Sequence, residues 1–117
     1  MSHARHLSGH EAIKDLHDAL VLESPGLVTL FTEASCHVAD AVEPKLEALL
    51  HQRFPLLRHT VVSRTDSPEL LAELGVVAFP TVITWFDGKE SARFVRAFSL
   101  DAVAESIERP YGILFGD

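Results

Sequence analysis

Leu27-Val28-Thr29-Leu30-Phe31 is a short run that is apolar at all but one position. A strand with one wet face alternates apolar and polar residues, whereas a run like this marks a strand covered on both faces. It therefore belongs at the centre of a sheet, with helices packed above and below. The flanking sequence supplies them. Ser8-Gly9-His10-Glu11 reads as a capping box ahead of Ala12, Ile13, Leu16, Ala19 and Leu20 at helical spacing, predicting a helix from about Gly9 to Leu22. Glu23-Ser24-Pro25-Gly26 breaks it. From about Cys36 to Phe54, Val38, Ala41, Val42, Leu46, Leu49 and Leu50 recur on one helical face, and Pro44 predicts a kink in that helix.

The second half repeats the alternation and then changes it. Leu56, Leu57, His59, Val61 and Val62 form a second strand candidate. Ser67-Pro68-Glu69 supplies a cap, a proline at the first helical position and an acid in the first turn, for a helix ending near Leu74 at Gly75. Thr81 to Phe86 is β-branched and aromatic, and Asp87-Gly88 closes it with a strong hairpin signal, giving an antiparallel partner from about Ser91 to Ala97. Ser99 caps a last helix through Ala102, Val103, Ser106 and Ile107, expected to stop at Pro110. Strands separated by helices imply a parallel part and the hairpin an antiparallel one: an α/β chain with a mixed sheet of four or five strands and helices on both faces.

Composition narrows the function. A chain of 117 residues, 47% hydrophobic and 23% charged, holds one globular core. No apolar run approaches the roughly 18 residues a membrane span needs, and Met1-Ser2-His3-Ala4-Arg5-His6 lacks a signal-peptide core, so the expectation is a cytoplasmic protein that does not enter membranes. A formal net charge of −7 repels phosphate backbones and argues against nucleic-acid partners. Cys36 is the only cysteine, so no internal disulfide and no cysteine-rich zinc cage is available. Any redox chemistry has to involve a second molecule. His3, His6 and His10 have spacings one helix face could share, but three histidines near a terminus are usually solvated, and neither metal nor cofactor is expected.

Phe31-Thr32-Glu33-Ala34-Ser35-Cys36-His37-Val38-Ala39, with Pro44 eight residues after the cysteine, and later Gly75-Val76-Val77-Ala78-Phe79-Pro80-Thr81 followed by Trp85-Phe86-Asp87-Gly88, together resemble the thioredoxin family. There a buried strand runs into W-C-G-P-C at the start of a proline-kinked helix, and a cis proline follows in an I-P-T motif. The likeness spans about residues 8 to 109. It implies a thioredoxin-like domain over 1–109 with a hydrophobic tail at 110–117, Cys36 as the reacting thiol with His37 beside it, and Ser35, Ala78, Phe79 and Pro80 against the substrate. The departures are chemical. Ser35 stands at the family's tryptophan, His37-Val38 at Gly-Pro, Ala39 at the second cysteine and Leu30 at the buried aspartate that assists proton transfer. A dithiol reaction is thereby lost.

Cys36 also has a reading of its own. A cysteine at a helix N-terminus meets the positive end of the helix dipole, and a protonated His37 would add to it; both favour the thiolate. A thiolate forms mixed disulfides with protein partners or glutathione, and with Ala39 in place of a resolving thiol, release needs an outside thiol. The expected function is single-cysteine redox chemistry, an oxidoreductase role in cell redox homeostasis. Its rival is a peptide-binding module or chaperone in which Cys36 is only a small buried residue and the groove beside Pro80 is kept. Glu33 and Asp40 flank the cysteine and suit either acid–base work or a solvated surface. Tyr111, Ile113, Leu114 and Phe115 are costly to leave in water, so the tail either folds back or forms an interface such as a homodimer.

Overall fold

A computed structural model describes residues 4–9, 12–33 and 42–116. The elements in chain order are β1 (Arg5–His6), α1 (Ile13–Glu23), β2 (Gly26–Thr32), α2 (Val42–Arg53), β3 (Arg58–Ser63), α3 (Pro68–Leu74), β4 (Thr81–Phe86), β5 (Lys89–Val95) and α4 (Leu100–Phe115). They build one mixed five-stranded sheet in the order β1-β3-β2-β4-β5. β3 runs parallel to both β1 and β2, while β4 is antiparallel to β2 and β5 to β4. All seven residues of β2 are buried, as its composition requires.

Alternation along the strands sorts the core into two layers. Val28 and Leu30 of β2 and Val82 and Phe86 of β4 pack with Leu46 and Leu50 of α2 and Val103 and Ile107 of α4. Leu27 and Phe31, with Ile83 and Trp85, pack with Ile13 and Leu20 of α1 and Leu70 and Leu71 of α3. Two helices therefore cover each face. No helix of the described residues is long and apolar enough to cross a membrane.

Several ends differ from the sequence reading. α1 starts at Ile13 rather than Gly9, its N-cap is Ala12 without a side-chain bond, and Glu11 of the expected capping box lies outside the described residues. The cause is Leu7: fully buried, with its N–H on the Val61 carbonyl at 2.9 Å, it holds the preceding chain extended, and Gly9 (φ 70°) turns the chain only afterwards. That tie also accounts for the unforeseen strand β1. β3 begins at Arg58 because Leu56 is exposed and the Leu57 N–H turns back to the Phe54 carbonyl. In α2, Pro44 falls in the first described turn, where a missing N–H costs little; the helix start expected at Cys36, and the turn a kink would need, lie outside the described residues.

Pro110 does not stop α4, which continues to Phe115. Packing outweighs the lost backbone bond. Tyr111 stacks edge-on against Phe54 with centroids 5.2 Å apart and meets Phe115 at 4.8 Å, and both join the core layer under α2 and α4. The apolar residues after Pro110 thus enter as the final turns of a helix, leaving Ile113 and Leu114 on the outside. Ser67, Ser99 and Asp87-Gly88 act as their sequence chemistry dictates: both serines accept an N–H at the helix starts, and the two turn residues both take positive φ.

Candidate functional site

Strand direction assembles one end of the molecule. β2 and β3 run parallel and finish together, Thr32 opposite Ser63, while antiparallel β4 begins there, Thr81 opposite Phe31. The connection 34–41 therefore leaves the sheet where residues 77–80 arrive. β5 returns to the same end, since Val95 lies opposite Thr81. Open α/β sheets bind ligands outside the carboxyl ends of their parallel strands, where the connections diverge. That is the situation of β2, whose neighbours are β3 on one side and β4 on the other.

Ser35, Cys36 and His37 fall in the 34–41 connection, as do Ala39 and Asp40, and lie outside the described residues. Ala78, Phe79 and Pro80 are half-buried. The Phe79–Pro80 peptide is cis. Phe79 rests on the α1–α3 core layer with Phe31, the Thr81 hydroxyl donates to the Ala78 carbonyl at 2.7 Å, and the Pro80 carbonyl accepts the Arg96 N–H at 2.7 Å. The N–H groups of Ala78 and Phe79 have no partner among the described residues. A second extended chain laid along them would meet free donors, as at a sheet edge. Val77, next along, is 90% exposed.

Glu33 takes a bond from Arg64 Nη1 at 2.6 Å with both side chains exposed, which favours the surface role over acid–base work. His6 Nε2 and Glu43 Oε2 are 2.7 Å apart, while His3 and His10 lie outside the described residues. Beneath the β2 end, Leu30 is fully buried and apolar. Neither buried histidine reaches the site. His17 is bonded to Thr29 at 2.8 Å under α1, and Thr29 to Thr60 at 2.7 Å; His59 lies opposite Val28, toward the other end of the sheet. Burial holds both rings well below the usual histidine range, at about 4, with Asp18 opposing the shift at His17 and Glu47 opposing it at His59.

The described surface carries hollows on both faces of the sheet. One, of about 410 Å³, is lined by Val42, Lys45, Phe98, Ser99, Leu100 and Asp101, where α2 and α4 begin. Another, of about 340 Å³, includes His17, Glu73 and Trp85 and opens between α1 and α3, on the other face. The sequence reading found Ala78, Phe79 and Pro80 but missed Arg96. Its signal was present: with a two-residue turn at Asp87-Gly88, an antiparallel partner of Thr81 falls near residue 95, so Arg96 has to end beside Pro80.

No protein-family model matches the sequence, and no curated protein matches it. Solved structures do. Thioredoxin from Fasciola hepatica superposes with a TM-score of 0.71 at 28% identity, over 90% of this chain and 97% of that one. Mitochondrial thioredoxin 3 from Saccharomyces cerevisiae, in its oxidised form, gives 0.74 at 23% identity over 90% and 93%. Thioredoxin from Trypanosoma brucei brucei gives 0.75 at 17% identity over 91% and 88%.

Proposed function

Because the chain is a thioredoxin-like domain with one cysteine, we propose that it is a thiol–disulfide protein working through Cys36 alone. One observation carries the reading: the only cysteine falls in the connection between β2 and α2, and β2 ends where Ala78, Phe79 and Pro80 arrive, the N–H groups of Ala78 and Phe79 having no partner among the described residues. The Cys36 thiolate attacks one sulfur of a partner's disulfide; a Cys36–partner S–S bond forms, the original S–S bond breaks, and the other sulfur leaves as a thiolate. A protonated His37 stabilises the attacking thiolate. Ser35 and residues 78–80 hold the partner's backbone. Ala39 offers no sulfur to reverse the first step, so a second thiol, such as glutathione, attacks the mixed disulfide and restores Cys36. A lone reactive thiol suits a reducing compartment such as the cytoplasm and a part in cell redox homeostasis.

The reading is tested by alkylating Cys36 across pH and by incubation with glutathione disulfide. A thiol titrating below the ordinary value of about 8.5, and a glutathione adduct on Cys36, are the expected results. An ordinary or raised titration with no adduct would overturn the reading. Insulin reduction with a dithiol regenerating system should be negligible unless glutathione is added. Fully buried Leu30 favours a second reading, a peptide-binding module or chaperone without chemistry, since no described acid or base stands beneath the β2 end. Peptide binding unaltered in Cys36→Ser, together with an inert thiol, would select it.

A further inference from the structure

Arg96 takes φ 61°, a left-handed backbone that L side chains rarely adopt and that glycine takes without strain. Its N–H is fixed on the Pro80 carbonyl at 2.7 Å, its side chain is exposed, and its guanidinium has no partner among the described residues. Four other cations, Lys14, Arg53, Arg64 and Arg93, are each paired with carboxylates of their own chain. Arg96 is a positive charge without an ion-pair partner among the described residues, held at positive φ next to Pro80, on a molecule whose formal net charge is −7. Strained backbone at a site is a reason to look for function in the side chain. Beyond Pro80 in the other direction stands exposed Val77, and past Arg96 the chain runs to Phe98 and the hollow it shares with Lys45 and Asp101.

We infer that Arg96 is a specificity-determining residue that selects partner segments carrying an acidic side chain beside the disulfide presented to Cys36. This rests on the thiol–disulfide reading and names its partner class. An extended segment lying along the N–H groups of Ala78 and Phe79, which have no partner among the described residues, brings its neighbouring side chains to the flanks of Pro80, where Arg96 supplies charge and Val77 an apolar contact. The net charge of −7 repels acidic partners at long range, and Arg96, next to Pro80, offsets that repulsion locally. A charge at the rim of an interface acts chiefly on the rate of association and on its salt dependence.

The experiment uses two peptides, identical except for Glu or Lys on both sides of one cysteine, which carries a 2-pyridyl disulfide. Attack by Cys36 on the peptide sulfur forms the Cys36–peptide disulfide, breaks the bond to the pyridyl sulfur and releases pyridine-2-thiolate, which takes a proton to give the coloured thione. The wild-type chain should favour the Glu peptide, and Arg96→Gly should lower the Glu-to-Lys rate ratio about two- to fivefold. Arg96→Glu should lower it further, Arg96→Lys should keep it, and added salt should erode it only where the cation is present. Arg58→Glu makes the same change in net charge at the opposite end of the strands and should leave the ratio near wild type.

An unchanged ratio in Arg96→Gly and Arg96→Glu, or an equal shift in Arg58→Glu, would overturn the inference. Glutathione carried as the same 2-pyridyl disulfide separates the two sources of carboxylate: an Arg96 effect confined to it would overturn the choice of a protein segment. Should Cys36 react with no probe, the thiol reading fails on its own. Equilibrium binding of the same peptides with serine for cysteine then decides Arg96, a Glu preference lost in Arg96→Gly supporting the selection of acidic segments and equal affinities overturning it.

Discussion

His17 and His59 are both almost without exposure, on opposite faces of the sheet, and their ring nitrogens fare differently. His17 shares a bond with Thr29, while both nitrogens of His59 are buried with no partner among the described residues. Burial lowers each pKa from 6.5 to about 4, His6 adding to the effect at His59. Between these values the unfolded chain binds protons that the folded chain refuses. Stability therefore falls as pH drops from 6.5 toward 4, by about 2 kcal/mol per histidine between pH 7 and pH 5. Urea unfolding of the wild type and of His59→Leu at the two pH values checks this. The variant should lose about half of the histidine-linked pH dependence and, with no polar group left unsatisfied, gain about 1 kcal/mol at pH 7. A destabilised His59→Leu, or one with an unaltered pH response, would contradict the account.

The last helix shows how an element depends on what it touches. A chain ending at Arg109 forfeits Tyr111 and Phe115 together, and should unfold about 3 kcal/mol more easily, read from its urea midpoint. An unchanged midpoint would mean that these rings add nothing. At the start of β2, a Cβ on Gly26 would clash with Leu57 Cδ2 and lie 3.1 Å from the Phe86 ring. Gly26→Ala should cost about 1–3 kcal/mol by overpacking, measured by thermal or urea unfolding, and a neutral result would show that Leu57 yields freely. What was legible in the sequence was local: Ser67 and Ser99 bond amides three residues on, and Asp87-Gly88 needs only its own dihedrals. What was not legible was set at a distance. Leu7 is drawn out by Val61, and Pro110 is carried through by Phe54. At the site, Ala78, Phe79 and Pro80 were readable as a motif, whereas the position of Arg96 depends on hairpin register.

At the scale of the whole molecule, charge and apolar surface act at different ranges. The net charge of −7 keeps copies apart, yet Ile113 is 73% exposed and Leu114 41% exposed on the outer side of α4. If that ridge joins two copies, salt should strengthen the association by screening the repulsion. Sedimentation of the full chain and of Ile113→Ser at low and high salt tests it: salt-dependent dimers lost in the variant are expected, and monomers throughout would remove the interface. The sheet order has a further consequence for synthesis. β2, buried along its whole length, receives one neighbour from β3 at 58–63 but its other from β4 at 81–86. A nascent chain leaving the ribosome N-terminus first therefore carries an apolar strand with one open edge, uncovered until about 50 more residues have emerged. Slowed translation within that window would raise aggregation even in a sequence whose finished fold is stable.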